Sequence, residues 1–293
     1  MSDIPPIQTL FDLSGKTALI TGGSRGLGLH TATALLLAGA SLTILVSRKS
    51  GGEHGLDQAV TRLNALPGVR GRAIGIPSNV ADTKEIEKLV TQVSEILAKD
   101  GKRGLDILVC NAGATWGGPF EPTPDWSSQK ILDLNVRGVF NLCRLFIPLL
   151  TLTATPSDPS RIITVSSVAA TTVPHTGSSG TIMYAASKAA ASHLTRQLAV
   201  ELAPRHVTCN TVSPGFFPSK LANGLIEILG GEEEVGRKGN PRGRLGRAED
   251  IGAVMVWLCG KGGGYINGVE IEVDGGSRWA RHGGDGAMGG PKL

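Results

Sequence analysis

The run Thr17-Ala18-Leu19-Ile20-Thr21-Gly22-Gly23-Ser24-Arg25-Gly26-Leu27-Gly28 decides the fold. Residues 17–21 form an apolar stretch without in/out alternation, the pattern of a strand covered on both faces. Four glycines then mark a tight turn, and an Ala/Leu-rich pattern over 26–38 reads as a helix. In such a strand, turn and helix the backbone can approach a pyrophosphate, and the helix N-terminus offers unpaired N–H groups with a partial positive charge. The spacing departs from GxGxxG, yet the context is that of a dinucleotide site. Gly22, Ser24, Arg25, Gly26, Leu27 and Gly28 are therefore candidate cofactor contacts.

Outward from that unit the same rhythm continues. Strands are predicted at 42–46, 73–77, 107–110, 161–166, 206–212 and 269–273, between helices at 56–65, 84–98, 126–150, 184–203 and 248–259. This alternation implies an α/β fold, a parallel sheet with right-handed crossovers between two helix layers. Ligands in such sheets bind outside the carboxyl ends of the strands. The 293 residues read as one domain with an N-terminal extension over 1–12 and a C-terminal tail over 277–293. An excursion at 216–240, rich in glycine and charge, reads as a substrate lid.

Composition narrows the function classes. Hydrophobic residues at 41% against 18% charged suit a filled core and exclude a disordered chain. The net charge is +4 without a basic run long enough to track a phosphate backbone, so nucleic acid is not expected as a partner. Cys110, Cys143, Cys209 and Cys259 form no CxxC pair and no cluster with histidine, and read as buried reduced thiols with no metal site. No basic segment precedes an apolar core at the N-terminus, and the charge-free stretch 162–187 is too rich in Ser, Thr and Gly for lipid. A soluble cytoplasmic protein, with no membrane partner, is expected. The final Pro291-Lys292-Leu293 is only a faint likeness of the peroxisomal Ser-Lys-Leu address.

Two further constellations carry chemistry. At the end of the second strand, where an NAD site usually has an acid for the ribose, stand Ser47-Arg48-Lys49. Two cations and a hydroxyl would hold a 2′-phosphate that an acid would repel, which favours NADP(H). Tyr184 and Lys188, four apart, share one helix face, so an ammonium near the phenol would favour its ionised form and fit it for acid–base work. Ser166 and Ser167 close the preceding strand, and Asn111-Ala112-Gly113 the one before.

Together these residues resemble the short-chain dehydrogenase/reductase family. The likeness runs from about residue 13 to 276 and rests on TGGSRGLG at 21–28, NAG at 111–113, Asn135 in LNVRG, the serine before Val168, YAASK at 184–188, Pro214-Gly215 and VDGG at 273–276. It implies a single Rossmann-like, doubly wound domain with seven parallel strands, assembled as a homotetramer, or a dimer, through its long fourth and fifth helices. It also implies that Tyr184 donates a proton to a substrate carbonyl and that Lys188 tunes Tyr184 and binds the nicotinamide ribose. Ser167, rather than Ser166, would bond the carbonyl oxygen, and Asn135 would hold a relay water beside Lys188. Asn79, Val80, Pro214, Gly215 and Phe217 join the expected NADP(H) contacts. Segments 111–121, 214–221 and 243–253 are similar to NADPH-dependent β-ketoacyl reductases of the rhamnolipid type, which implies a small-molecule β-keto substrate.

The chain departs from the family at Cys110 and Asn79, where Asn and Asp are usual, and in a longer stretch between Ser167 and Tyr184 carrying Pro174, His175 and glycines at 177 and 180. His175 reads as a loop histidine facing water. Trp116, Phe120, Phe216 and Phe217 read either as an apolar wall of the site or as core and lid packing. An NADP-dependent dehydrogenase of a secondary alcohol or polyol, a non-catalytic NADP(H)-binding scaffold and a non-redox reaction on the same fold remain alternatives.

Overall fold

The computed structural model describes residues 4–173, 175–219, 222–228 and 230–280. Pro174, the Lys220-Leu221 end of the 214–221 segment, and Pro291-Lys292-Leu293 lie outside them.

Seven strands form one sheet in the order β3-β2-β1-β4-β5-β6-β7, every neighbouring pair parallel. They are β1 (Thr17–Thr21), β2 (Leu42–Ser47), β3 (Arg72–Pro77), β4 (Ile107–Cys110), β5 (Ser160–Val165), β6 (Val207–Pro214) and β7 (Glu270–Val273). Helices α1 (Ile7–Phe11), α2 (Gly26–Leu37), α3 (Leu56–Asn64) and α4 (Thr83–Lys99) precede α5 (Asp125–Leu132), α6 (Gly138–Thr151) and α7 (Ile182–Leu202). The last three are α8 (Asn223–Ile228), α9 (Gly231–Gly239) and α10 (Ala248–Cys259). Every residue of β1, β4, β5 and β6 is buried, which is why β1 and β4 read as apolar runs without in/out alternation; edge strand β3 is partly exposed.

Each face of the sheet has its own core. On one side Leu89 and Val93 of α4 and Leu142 and Phe146 of α6 pack on Leu19, Ile44, Leu108 and Ile162. On the other, Leu35 and Leu36 of α2 and Ile251 and Met255 of α10 pack on Ile20, Leu45, Val109 and Ile163. Each such side chain contributes about 1.5–3 kcal/mol by leaving water.

Two departures from the predicted elements bear on function. The helix expected at 126–150 is interrupted by a π-turn over Asp133–Arg137, where the Gly138 N–H reaches back five residues to the Asp133 carbonyl. The excursion after β6 holds α8 and α9 rather than irregular loop. In α9 the acids Glu232–Glu234 open the helix and Arg237 and Lys238 close it, complementing its dipole. The base of the excursion is joined where the Gly246 N–H donates to the Phe216 carbonyl at 2.9 Å. Ile226, Val235 and Leu245 form a small core of its own.

Candidate active site

The carboxyl ends of β1, β4, β5 and β6 surround a cavity of about 800 Å³. At one end lies the glycine turn. Thr21 Oγ1 accepts the N–H groups of Asn111 and Ala112, both at 3.0 Å, and Asn111 Nδ2 donates to the carbonyls of Thr21 (2.8 Å) and Gly22 (3.2 Å). The Asn111 amide is thus spent on holding the turn. A Cβ on Gly28 would stand 2.3 Å from the Gly22 carbonyl oxygen, so only glycine lets helix and turn pack this closely. Gly22 itself has φ +65°, which favours glycine. The first residue of α2 follows Arg25, whose side chain caps nothing, and no acid lies in the first turn. Its N–H groups and positive dipole end therefore face the cavity uncompensated.

Ser24 Oγ donates to Ser47 Oγ at 3.3 Å, tying the turn to the end of β2. Ser47, Arg48 and Arg25 line the cavity there, while Lys49 does not. Lys49 is exposed, and its carbonyl is held by the Leu56 N–H at the start of α3. Asn79 and Val80 line the next stretch of wall. The open helix end, the close-packed glycines and the cations beside a hydroxyl suit a dinucleotide carrying a 2′-phosphate.

At the other end stand the groups that could do chemistry. Tyr184, in the first turn of α7, and Lys188, one turn later, both line the cavity with Ser167 and Ser166. Lys188 is 5% exposed, has Nζ 5.8 Å from the Tyr184 ring centre, and donates to the Val165 carbonyl at 2.9 Å. Burial, with no carboxylate partner, brings its pKa down to about 8. The phenol departs from the expectation that the ammonium would favour its ionised form. Burial holds its pKa above the ordinary value, and a hydrogen bond with Ser167 offsets only part of that. At neutral pH the phenol keeps its proton, the form a proton donor needs.

The two serines separate cleanly. Ser167 Oγ accepts the Ala169 N–H at 3.2 Å at the mouth of a 3-10 turn, and its hydroxyl faces the Tyr184 phenol, to which it is hydrogen-bonded. Ser166 Oγ instead donates to the Lys188 carbonyl at 3.0 Å. Asn135 sits in the π-turn, is buried and does not line the cavity. Its Oδ1 accepts the Ala114 N–H at 2.9 Å, and Nδ2 donates to the Ala114 carbonyl (2.9 Å) and Ser187 Oγ (3.0 Å). Both side-chain amide protons are committed to the wall. Ala112, Gly113, Pro214, Gly215 and Phe217 line the cavity between its two ends.

The substrate side differs from the reading of the sequence. His175 does not simply face water; it lines the cavity with its ring 6.0 Å from that of Phe216. Trp116 and Phe120 do not line it, and Phe120 is 71% exposed. Trp116 stands edge-on to Trp126 at 4.8 Å, and Trp126 forms the wall in its place. Trp126, Gln129, Lys130 and Asp133 recur at the spacing of one helix face, a signal present in the sequence. Phe217 is both wall and core, its ring filling the space a Cβ on Gly246 would need.

The four cysteines are buried and unbridged. Burial pushes Cys259 up to about 12, and the Cys143 thiol beside Cys110 raises the latter, so neither offers a thiolate. Among the described residues no cluster could hold a metal, and no helix is long and apolar enough to cross a membrane.

Residues 22–278 match the family described as enoyl-(acyl carrier protein) reductase. The rhamnolipids biosynthesis 3-oxoacyl-[acyl-carrier-protein] reductase of Pseudomonas aeruginosa is 36% identical over 91% of this chain and 97% of its own. The 3-oxoacyl-[acyl-carrier-protein] reductase FabG of Haemophilus influenzae is 32% identical over 90% and 98%. A solved Pseudomonas aeruginosa RhlG/NADP active-site complex superposes with a TM-score of 0.81 at 35% identity, covering 92% of this chain and 99% of that one.

Proposed function

Because the chain belongs to the short-chain dehydrogenase/reductase family and is an NADP(H)-dependent oxidoreductase, we propose that it reduces the ketone of a 3-oxoacyl thioester or related β-keto compound. The product is the secondary alcohol. The observation that carries this reading is the meeting of Tyr184, Ser167 and Lys188 at one end of a cavity whose other end is the glycine turn. The acyl thioester is supported by the 3-oxoacyl-[acyl-carrier-protein] reductase activities of the relatives.

The cofactor, when bound, supplies hydride to the carbonyl carbon. The chain's residues do the rest. Ser167 donates a hydrogen bond to the carbonyl oxygen, and Tyr184 gives up its phenolic proton as that oxygen becomes an alkoxide. The Lys188 ammonium steadies the phenolate left behind. Arg25, Ser47 and Arg48 hold the 2′-phosphate, and the Asn111 amide keeps the glycine turn in the shape that receives the pyrophosphate. Trp126, His175 and Phe216 bound the acyl side, with residues 216–240 as the lid of a single-domain enzyme.

We place the enzyme in the cytoplasm, since four unbridged cysteines suit a reducing compartment. We further read it as a homotetramer packed through the 125–151 and 182–202 helices, which leave Trp126, Phe140, Ile182 and Val200 exposed. Light scattering checks the assembly. For the chemistry, NADPH loss is followed with a β-ketoacyl thioester, a β-keto ester, a cyclic diketone and a keto sugar, using wild type and Tyr184→Phe. Turnover of the thioester, cut roughly 10²–10⁴-fold in the variant with NADPH binding intact, is expected. Retained turnover in Tyr184→Phe overturns the assignment.

A further inference from the structure

A hydrogen-bonded hub lies behind the cavity, outside its lining. Glu270 opens β7 and its side chain is 7% exposed, yet it meets two other elements. Oε1 accepts from Ser213 Oγ of β6 at 2.6 Å and from Ser192 Oγ of α7 at 3.0 Å. Oε2 accepts from Arg196 Nη2, one turn further along α7, at 2.7 Å. Ser192 Oγ also lies 2.9 Å from Ser166 Oγ, which donates to the Lys188 carbonyl. A buried carboxylate is costly unless its oxygens are filled, and apolar packing could have joined the same elements more cheaply. What the polar hub adds is direction.

None of Glu270, Ser192, Arg196 and Ser213 lines the cavity, but Ser213 and Ser192 stand close along the chain to residues that do, and Ser192 Oγ lies beside Ser166, which does. Ser213 precedes Pro214-Gly215, Ser166 precedes Ser167, and Ser192 lies one turn beyond Lys188. One carboxylate therefore gathers the end of β6 and the middle of α7, where Ser192 Oγ stands 2.9 Å from Ser166 Oγ at the end of β5. We propose that Glu270 is a positioning residue for the reaction: it fixes the rotation and height of α7 against β5, and so the separation of Lys188 and Tyr184 from Ser167. The inference rests on the catalytic reading of those three residues.

The test compares Glu270→Ala, Glu270→Gln and Tyr184→Phe in the full chain. Steady-state NADPH oxidation is measured with the best substrate of the panel, and NADPH affinity by fluorescence titration. Glu270→Ala is expected to lower kcat about 10- to 100-fold, the scale of a small misplacement of catalytic groups, while KM for NADPH stays within about threefold. Glu270→Gln keeps an oxygen for Ser192 and Ser213 and is expected to recover kcat to within about threefold of wild type. A purely structural role would lower the yield of folded protein and NADPH affinity together and leave kcat per bound site unchanged. That outcome, or full kcat in Glu270→Ala beside an inactive Tyr184→Phe, overturns this proposal alone. Turnover retained in Tyr184→Phe overturns it together with the catalytic reading. If Glu270→Ala does not fold, Ser192→Ala removes one spoke, and an unchanged kcat there is equally fatal.

Discussion

Replacing Lys188 with methionine should make the protein more stable near neutrality and inactive as an enzyme. Burial brings the lysine from its ordinary 10.5 to about 8. At about 1.36 kcal/mol per unit, folding therefore carries a penalty of about 3 kcal/mol at pH 7, where the lysine is charged in both states. Methionine of similar length removes that penalty but orphans the Val165 carbonyl, at a cost of about 2 kcal/mol. The variant should lead by about 1 kcal/mol at pH 7. The dependence on pH is the sharper test. Between about 8 and 10.5 the unfolded lysine keeps a proton that the folded one has lost, so wild-type stability rises with pH through this window. By pH 10 about three quarters of the penalty has gone, and the variant should trail by about 1 kcal/mol. The phenol of Tyr184, raised by its own burial, titrates in both proteins and cancels from the difference. Urea unfolding of both proteins at pH 7 and pH 10, without cofactor, measures it. A difference of one sign and size at both pH values would refute the claim that Lys188 is a buried, unpaired ammonium.

Gly28→Ala forces a Cβ to within 2.3 Å of the Gly22 carbonyl oxygen, and backbone there cannot yield. A loss of about 1–3 kcal/mol in unfolding free energy, with weakened NADPH binding by titration, is expected. Arg48→Glu should weaken NADPH by about 1.5–3 kcal/mol, roughly 10- to 150-fold, while NADH affinity changes little; parallel titrations with the two cofactors decide it.

Much of the fold was legible because the strands carry their own signal. β1 and β4 begin and end where their apolar runs do, and α10 matches its predicted span. The glycine turn and the Tyr184/Lys188 pair were readable because their geometry is local. The π-turn was not, since it is held by Asn135 reaching Ala114 and Ser187, 21 and 52 residues away. The ionisation of Tyr184 is not legible for a related reason: spacing places an ammonium near a phenol, but only the folded chain shows Lys188 buried with Nζ turned to the Val165 carbonyl and the phenol desolvated enough to keep its proton. Helix α9 could have been found, as its acids precede its bases within nine residues. The hub at Glu270 joins residues 57 to 78 apart and leaves no local trace.

The π-turn also bears on how freely this chain can change length. It adds one residue to a helix that serves two faces: before it, Trp126, Gln129 and Lys130 look into the cavity, and after it, Leu142 and Phe146 look into the sheet. Deleting any one residue from 133–137 would heal the helix to ordinary geometry, yet rotate one half against the other by roughly 100°. Either the cavity wall or the core would then lose its facing side chains. Catalytic site and hydrophobic core are geared together through this single surplus residue, so neither can be re-spaced without the other slipping a tooth.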